Sequence, residues 1–140
     1  MGGRVNDSTV REFINSSDTL RVYNGDRLLF SSDRERLLPL MEYIETCVPY
    51  EKDVTVLDRV VGNAAAFLLA KIFCRETYGE LGSEFAAETL KQLGISYRFD
   101  ETVPHIMNNR QDGMCPMEEL SLSKTPEEFY QALKERLSGQ

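Results

Sequence analysis

A cysteine stands between two methionines in the stretch QDGMCPMEEL, which runs from Gln111 to Leu120. The single histidine of the chain, His105, precedes this Cys115 by ten residues. If CPMEEL begins a helix, Pro116 takes the first helical position and Cys115 is the N-cap. A helix N-terminus favours the nucleophilic thiolate, whereas neighbouring carboxylates disfavour it. Cys115 is therefore a candidate catalytic nucleophile; the alternatives are soft apolar filler at a sheet edge, or a metal or redox ligand.

A second set of candidate residues surrounds two predicted connections from strand to helix. Ligands of open α/β sheets bind beyond the carboxyl ends of strands, where helix N-termini present unpaired N–H groups that suit anions. Gly62 would let the backbone approach a ligand closely, and Asp58 or Arg59 could orient a polar group. The structural alternative is that Gly62 allows tight helix packing and Asp58 caps a helix. The predicted ligand-binding residues are Ser32, Asp33, Asp58, Arg59, Gly62, Asn63, Arg110, Asp112 and Gly113.

The connection from Pro104 to Leu120 is longer than most connections in compact domains. Its segment NNRQDG is rich in turn formers, so it is either a solvated loop or part of a site. Long ordered loops are more often functional than short ones. We therefore predict a pocket that joins the turn at residues 58–63 to the loop at residues 110–115.

Composition limits the class of protein. The chain has 140 residues, of which 41% are hydrophobic, so we predict one domain over residues 1–140. With 16 basic and 23 acidic residues, its net charge is −7, which opposes nucleic-acid binding. No apolar run approaches the roughly 20 residues of a membrane span, and the start lacks the apolar core of a secretory signal. Three irregularly spaced cysteines fit reduced thiols, so we expect a cytoplasmic protein.

Local signals place the elements along the chain. A first helix is predicted from a cap at Asp7 or Ser8 to about Ser16. Asn24-Gly25 predicts a two-residue hairpin turn in which both residues have positive φ. Ser32 and Glu35 form a capping box that predicts a helix start near Ser32. A buried strand over DVTVLDRVV and a buried helix over GNAAAFLLAKIFC follow, and Cys47 and Cys74 are expected to lie on helices.

The second half of the chain alternates strands and helices. A strand at ETYGEL, a helix capped by Ser83 and ended by Gly94, and a strand at ISYRFDETV follow in order. Thr125, Pro126 and Glu128 predict the start of a closing helix. Strands separated by helices are parallel neighbours with right-handed crossovers. We therefore predict a three-layer α/β/α sandwich with a mixed sheet and helices on both faces.

Three blocks of the sequence resemble a known family. VYNGDRLLFSSD, LDRVVGNAAAFLL and NNRQDGMCPMEEL, in this order, look like the prokaryotic family catalogued as domain of unknown function eighteen-ninety-three. The third block is the most specific. The resemblance implies a cytidine-deaminase-like fold, which agrees with the predicted order of elements, and it implies no established activity.

The zinc-deaminase chemistry of that fold can be tested on the residues. Such enzymes need a His or Cys two residues before a Glu, and a Pro-Cys-x-x-Cys pair, both at helix N-termini. SSDRER contains no His or Cys, DRVVGNAAA contains no Cys, and the Cys-x-Glu letters at Cys74 lie at a helix end. We therefore predict no zinc-deaminase activity, no metal site and no cofactor.

The residues leave three functional hypotheses. The first is a small-molecule-binding protein whose ligand is anionic or nucleotide-like and sits at helix N-termini on the sheet edge. The second is a non-catalytic interaction or regulatory module, for which a methionine-rich loop gives an adaptable apolar contact surface. The third is a thiol-dependent enzyme that uses Cys115. We expect a small-molecule partner and a chain able to form homo-oligomers, without nucleic-acid or membrane partners.

Overall fold

The computed structural model describes residues 5–138. Within this range the chain forms six helices and five strands, in an order close to the predicted one. The helices are α1 (Asp7–Ile14), α2 (Leu38–Thr46), α3 (Asn63–Lys71), α4 (Glu84–Leu93), α5 (Pro116–Ser121) and α6 (Pro126–Ser138). The strands are β1 (Leu20–Asn24), β2 (Arg27–Ser32), β3 (Val54–Val61), β4 (Cys74–Ser83) and β5 (Ser96–Val103).

The strands form one mixed sheet in the order β2-β1-β3-β4-β5. β1 pairs antiparallel with both β2 and β3, whereas β3, β4 and β5 are parallel to one another. The two parallel connections contain α3 and α4, so each joins two parallel neighbours through a helix. The predicted α/β sandwich with a mixed sheet is therefore confirmed.

The two faces of the sheet are covered unequally. One large core joins the sheet to α2, α3, α4 and α6, and Leu68, Leu90 and Phe129 lie fully inside it. On the other face, Val10 and Phe13 of α1 pack against a small second core. The third layer thus consists of α1, because successive crossovers in one direction place their helices on the same face.

Several predicted helix ends are confirmed. The Ser83 hydroxyl accepts a hydrogen bond from the Ala86 N–H, and Gly94 ends α4 with a left-handed φ of 74°. At α6, Thr125 and Glu128 form the reciprocal bonds of a capping box. These ends depend on residues within one helical turn, which is why local sequence predicts them.

The hairpin turn is shifted by one residue from the prediction. Asn24 pairs with Arg27, so the central turn residues are Gly25 and Asp26. Gly25 has a φ of 62°, and Asn24 is not among the non-glycine residues with positive φ. The prediction of a hairpin is therefore correct. The predicted turn, with Asn24 and Gly25 both at positive φ, is wrong, because glycine at the first central position suits a type II′ turn.

The predicted start of the second helix is wrong. Ser32 ends β2, and its hydroxyl accepts a bond from the Arg34 N–H instead of capping a helix. Arg36 adopts a left-handed φ of 61°, and α2 begins at Leu38 without a side-chain cap. Pairing of β2 with β1 extends to Ser32 and overrides the local capping signal.

Two smaller predictions also need correction. The cap of α1 is Asn6, whose side chain accepts the Ser8 N–H, and the helix ends at Ile14. Cys47 is the residue after α2, and Cys74 is the first residue of β4, so neither lies within a helix. Cys74 is nevertheless buried, as a packing role requires.

Close packing of β4 on β5 gives a test of the fold. A methyl group at Gly82 would overlap the ring of Phe99, so Gly82→Ala is expected to lower the free energy of unfolding by about 1–3 kcal/mol. Chemical denaturation measures the change. Gly113→Ala is the control, because its nearest neighbouring atom would be 3.6 Å away. If the loss is the same in a Phe99→Leu background, the steric explanation is wrong.

Candidate functional site

A cleft lies where β3 runs past the start of β1. The ladder between β1 and β3 ends at Asp58, whereas the ladder between β3 and β4 continues to Val61. A cavity of about 420 Å³ opens beside this extension, at the carboxyl end of β3. Its lining contains Thr19, Glu35, Arg36, Leu37, Asp58, Arg59, Val60, Gly62, Ala64, Ala65, Ile106, Met107, Asn109, Cys115, Met117 and Glu118.

Asp58 is the acidic residue of β3 that lines the cleft. Its Oδ1 accepts a hydrogen bond from the Arg59 N–H at 2.8 Å. Removal of the carboxyl group from water raises the pKa of Asp58 to about 7, although the Arg59 and Val60 amides oppose the shift. At neutral pH the group is therefore divided between its acid and carboxylate forms, and it can both donate and accept.

Arg59 serves the opposite face of the sheet. Its guanidinium donates to the carbonyl oxygens of Phe13, Ser16 and Asp18, at 2.9 to 3.0 Å, and stacks 4.4 Å from the Phe13 ring centroid. It also forms an ion pair with Glu80 at 3.3 Å. These partners hold the end of α1, so the charge of Arg59 stabilises the fold instead of facing a ligand.

The start of α3 already holds a carboxylate of the protein. Glu118 is 1% exposed. Its Oε1 accepts the Asn63 N–H at 2.5 Å, and its Oε2 accepts the Ile106 N–H at 2.8 Å. A methyl group at Gly62 would lie 2.8 Å from Glu118 Oε1, so glycine is needed here for close approach. The Glu118 carboxylate therefore binds the Asn63 N–H, which is one of the N–H groups predicted to bind an anionic ligand.

The Asn63 side chain belongs to a buried polar network. Its Nδ2 donates to the Ser121 hydroxyl at 2.9 Å, and its Oδ1 accepts from the Thr89 hydroxyl. Ser121 in turn donates to the Glu118 carbonyl at 2.6 Å. Asn63 therefore joins α3 to α4 and α5, and it does not line the cleft.

Residues 106–115 form an ordered flap beside the cleft. Met107 and Met114 are bridged as in an antiparallel ladder, and the Cys115 N–H donates to the Ile106 carbonyl at 2.7 Å. At the tip, Asn108 Nδ2 donates to Asp112 Oδ1 at 2.9 Å. The turn formers of NNRQDG thus build a closed turn instead of an irregular loop.

The predicted site residues fall into two groups. Asp58, Arg59, Gly62 and Cys115 line the cleft, so the structure brings the turn of residues 58–63 and the loop near residue 115 together. The predicted residues outside the lining are Ser32, Asp33, Asn63, Arg110, Asp112 and Gly113. His105 also lies outside the lining.

The sequence patterns did not indicate Glu118 as a central residue of this region. They place Glu118 at the third position of the predicted helix after Cys115, as one of the neighbouring carboxylates that disfavour the thiolate. The carboxylate instead reaches backbone groups that are 55 and 12 residues away along the chain. The available signal was the placement of an acid between apolar Met117 and Leu120, which is weak because Glu119 shares it.

The described residues contain neither a metal-binding cluster nor a helix that could span a membrane. Within residues 5–138, no group of three or more His, Cys, Asp or Glu side chains is arranged to hold a metal ion. In the same part of the chain, no helix has the length and apolar character to cross a bilayer.

The fold and cleft define an α/β sandwich protein with a candidate site at the carboxyl end of a central strand. The sequence profile described as "Domain of unknown function (DUF1893)" matches residues 9–137, and the chain belongs to this family. The resemblance seen in the three sequence blocks is thereby confirmed. The cytidine-deaminase-like character of the fold stays a prediction.

A solved structure supports the same assignment. The crystal structure of a DUF1893 family protein (TM1506) from Thermotoga maritima superposes with a TM-score of 0.86 at 26% sequence identity. The match covers 97% of this chain and 95% of that chain. Among curated proteins, none matches this chain.

The raised pKa of Asp58 predicts a pH-dependent stability. Unfolded Asp58 releases its proton near pH 3.8 and the folded group near pH 7, so between these values the folded chain binds more protons. The free energy of unfolding should therefore fall as pH rises from about 4 to about 7, by at most about 4 kcal/mol. Partial solvent access to Asp58 reduces this figure.

Urea unfolding across that pH range compares the wild type with Asp58→Asn, which lacks the titrating group. Asp26→Asn is the control, because Asp26 is an exposed acid of the hairpin turn and lies outside the cleft lining. An identical pH slope in the wild type and Asp58→Asn would contradict the assignment.

Proposed function

We propose that this protein binds a small nucleotide-like molecule in the cleft, with its ring edge against Asp58. The observation that carries the proposal is a carboxyl group that lines a cavity of ligand size, where burial raises the pKa of Asp58 to about 7. The volume of about 420 Å³ falls within the roughly 300–1,000 Å³ of small-molecule sites.

The walls of the cleft suit a flat ring. Leu37, Ile106 and Val60 supply aliphatic surface, and the thioethers of Met107 and Met117 add polarizable groups. Sulfur makes favourable contacts with aromatic rings and adapts to irregular shapes. An aromatic heterocycle would therefore bury its faces against these side chains and turn its polar edge toward Asp58.

Asp58 supplies the specific hydrogen bonds in this proposal. A carboxyl group near its pKa can accept from a ring amino group and, in its acid form, donate to a ring nitrogen. Arg36, which is exposed at the lining, is available to meet a phosphate, whereas the Arg59 guanidinium is engaged with α1.

The proposal contains no zinc-deaminase step. The starts of α2 and α3 lack the cysteine and histidine residues that such a zinc ion needs. Binding alone accounts for the arrangement described so far.

Titration with nucleosides and nucleotides tests the proposal. Amide chemical shifts measured by NMR at millimolar ligand should change around the cleft for at least one compound, and Asp58→Asn should weaken that compound's binding by about 10-fold or more. Asp26→Asn, which replaces an exposed acid of the hairpin turn outside the cleft, should bind as the wild type does. No shift change for any base would reject the proposal, and equal affinity in Asp58→Asn would reject the role of Asp58.

A thiol-dependent enzyme is the second candidate, because Cys115 and Asp58 line the same cleft. A carboxyl group with a pKa near 7 is suited to act as a general base at neutral pH. In that case, the Asp58 carboxylate would take the proton of the Cys115 thiol, and the thiolate would add to an electrophilic carbon of a ligand held against the methionine-rich wall. The atom that receives the displaced electron pair would then take that proton from Asp58.

Alkylation by iodoacetamide examines whether the thiol faces the ligand. A saturating nucleoside that binds the cleft should slow alkylation of Cys115 in proportion to its occupancy, since the thiol lines the cavity. Cys47 provides the comparison, because it is partly exposed and lies outside the lining. Peptide mass spectrometry reads both sites, and equal protection of the two cysteines would reject a ligand next to Cys115.

A further inference from the structure

We propose that Glu118 is the specificity-determining and positioning residue of the cleft. Its carboxylate fills the place at the start of α3 where an anionic ligand group would bind, so a ligand of the cleft cannot place an anionic group there. The same carboxylate holds the flap of residues 106–115 against α3. This inference rests on the proposed function, because it concerns the ligand of that same cleft.

Glu118 meets the electropositive end of α3. The N-terminus of a helix carries partial positive charge and unpaired N–H groups, which is why it attracts anions. α3 has nine residues and begins at Asn63, whose N–H donates to Glu118 Oε1 at 2.5 Å. Its N-cap, Gly62, has no side chain to serve the helix end. Glu118 therefore performs the role of the missing anion.

The Glu118 side chain is buried. Glu118 is 1% exposed, yet it lines the cleft together with Ala64 and Ala65 of the first turn of α3. A carboxylate enclosed in this way repels a second anion at short range, because water cannot screen the repulsion. Asp58 and Glu35 in the same lining have the same sign when ionised. A phosphate or carboxylate on this wall is therefore disfavoured.

Glu118 also holds the flap of residues 106–115 in position. Glu118 Oε2 accepts the Ile106 N–H at 2.8 Å, so one carboxylate binds α3 and the flap at once. Ile106, Met107, Asn109 and Cys115 reach the cleft from that flap. Because a buried bidentate carboxylate fixes both donors, loss of Glu118 releases one wall of the cleft.

Glu118→Ala and Glu118→Gln provide the test, with Glu119→Ala as the matched control. Glu119 is the exposed acid next in the chain, so its variant removes equal charge without touching either amide. Wild type, Glu119→Ala and both Glu118 variants are titrated with acetate, inorganic phosphate and neutral acetamide at constant ionic strength. NMR follows the Asn63, Ala64 and Ile106 amides, and hydrogen exchange follows residues 106–115.

In Glu118→Ala, the vacated amides should bind acetate or phosphate at least about 10-fold more tightly than in the wild type. The hydrogen-exchange rate of the Ile106 amide should rise by a similar factor and fall again when acetate is added, whereas acetamide should not change it. Glu118→Gln keeps one side-chain oxygen as an acceptor, so its exchange rate and anion affinity should rise less. A structural role without anion mimicry would give no rescue by acetate.

The wild-type titration decides the matter even if Glu118→Ala does not fold. A saturable shift of the Asn63 and Ala64 amides with phosphate in the wild type would overturn the proposal, as would a folded Glu118→Ala that binds no anion. Failure of every nucleoside to bind would reject the proposed function, whereas the acetate result would separately show whether Glu118 fills the anion position at the start of α3.

Discussion

The unequal pairing of β3 with its two neighbours is the constraint on which the rest of the molecule depends. β4 follows β3 to Val61, but β1 begins only opposite Asp58. Sheet ladders satisfy the backbone groups of a buried strand, so the end of one ladder leaves space that side chains must fill. Asp58 turns its own carboxylate onto the next amide at this point, and the flap with α5 covers the remaining opening. The cleft is thus a consequence of where β1 starts.

Asp58 and Arg59 are adjacent residues of β3 with different roles: Asp58 lines the cleft, and Arg59 stabilises the packing of α1. Successive side chains of a strand point to opposite faces, so Asp58 faces the large helical layer and Arg59 faces α1. Arg59 donates to the Phe13 carbonyl near the end of α1 and to the Ser16 and Asp18 carbonyls that follow the helix, and it stacks on Phe13. In the described part of the chain, α1 is the helix that covers this face of the sheet, and it does so over a small core of its own. The bonds of Arg59 therefore help to hold α1 on the sheet.

Electrostatics and packing meet at Glu118. The positive end of α3 and the Ile106 amide together stabilise a carboxylate that burial alone would destabilise. Asn63, Ser121 and Thr89 extend this polar contact into the interior, and each donor and acceptor in the chain of bonds has a partner. Such a satisfied network specifies one arrangement of three helices, since any shift of α5 breaks several bonds together.

By itself, the sequence determined the order of the elements, the hairpin, the caps of α4 and α6, and the meeting of the 58–63 turn with the residue-115 loop. These follow from signals within a few residues, or from the rule that consecutive parallel strands share an edge. Tertiary structure alone decided that Ser32 stays in the sheet, that Arg59 binds carbonyl groups at the end of α1, and that Glu118 accepts the first N–H of α3. Each of these choices joins groups far apart in the chain, as the 55 residues between Asn63 and Glu118 illustrate, and local patterns carry no information on which distant partner a charged side chain will meet.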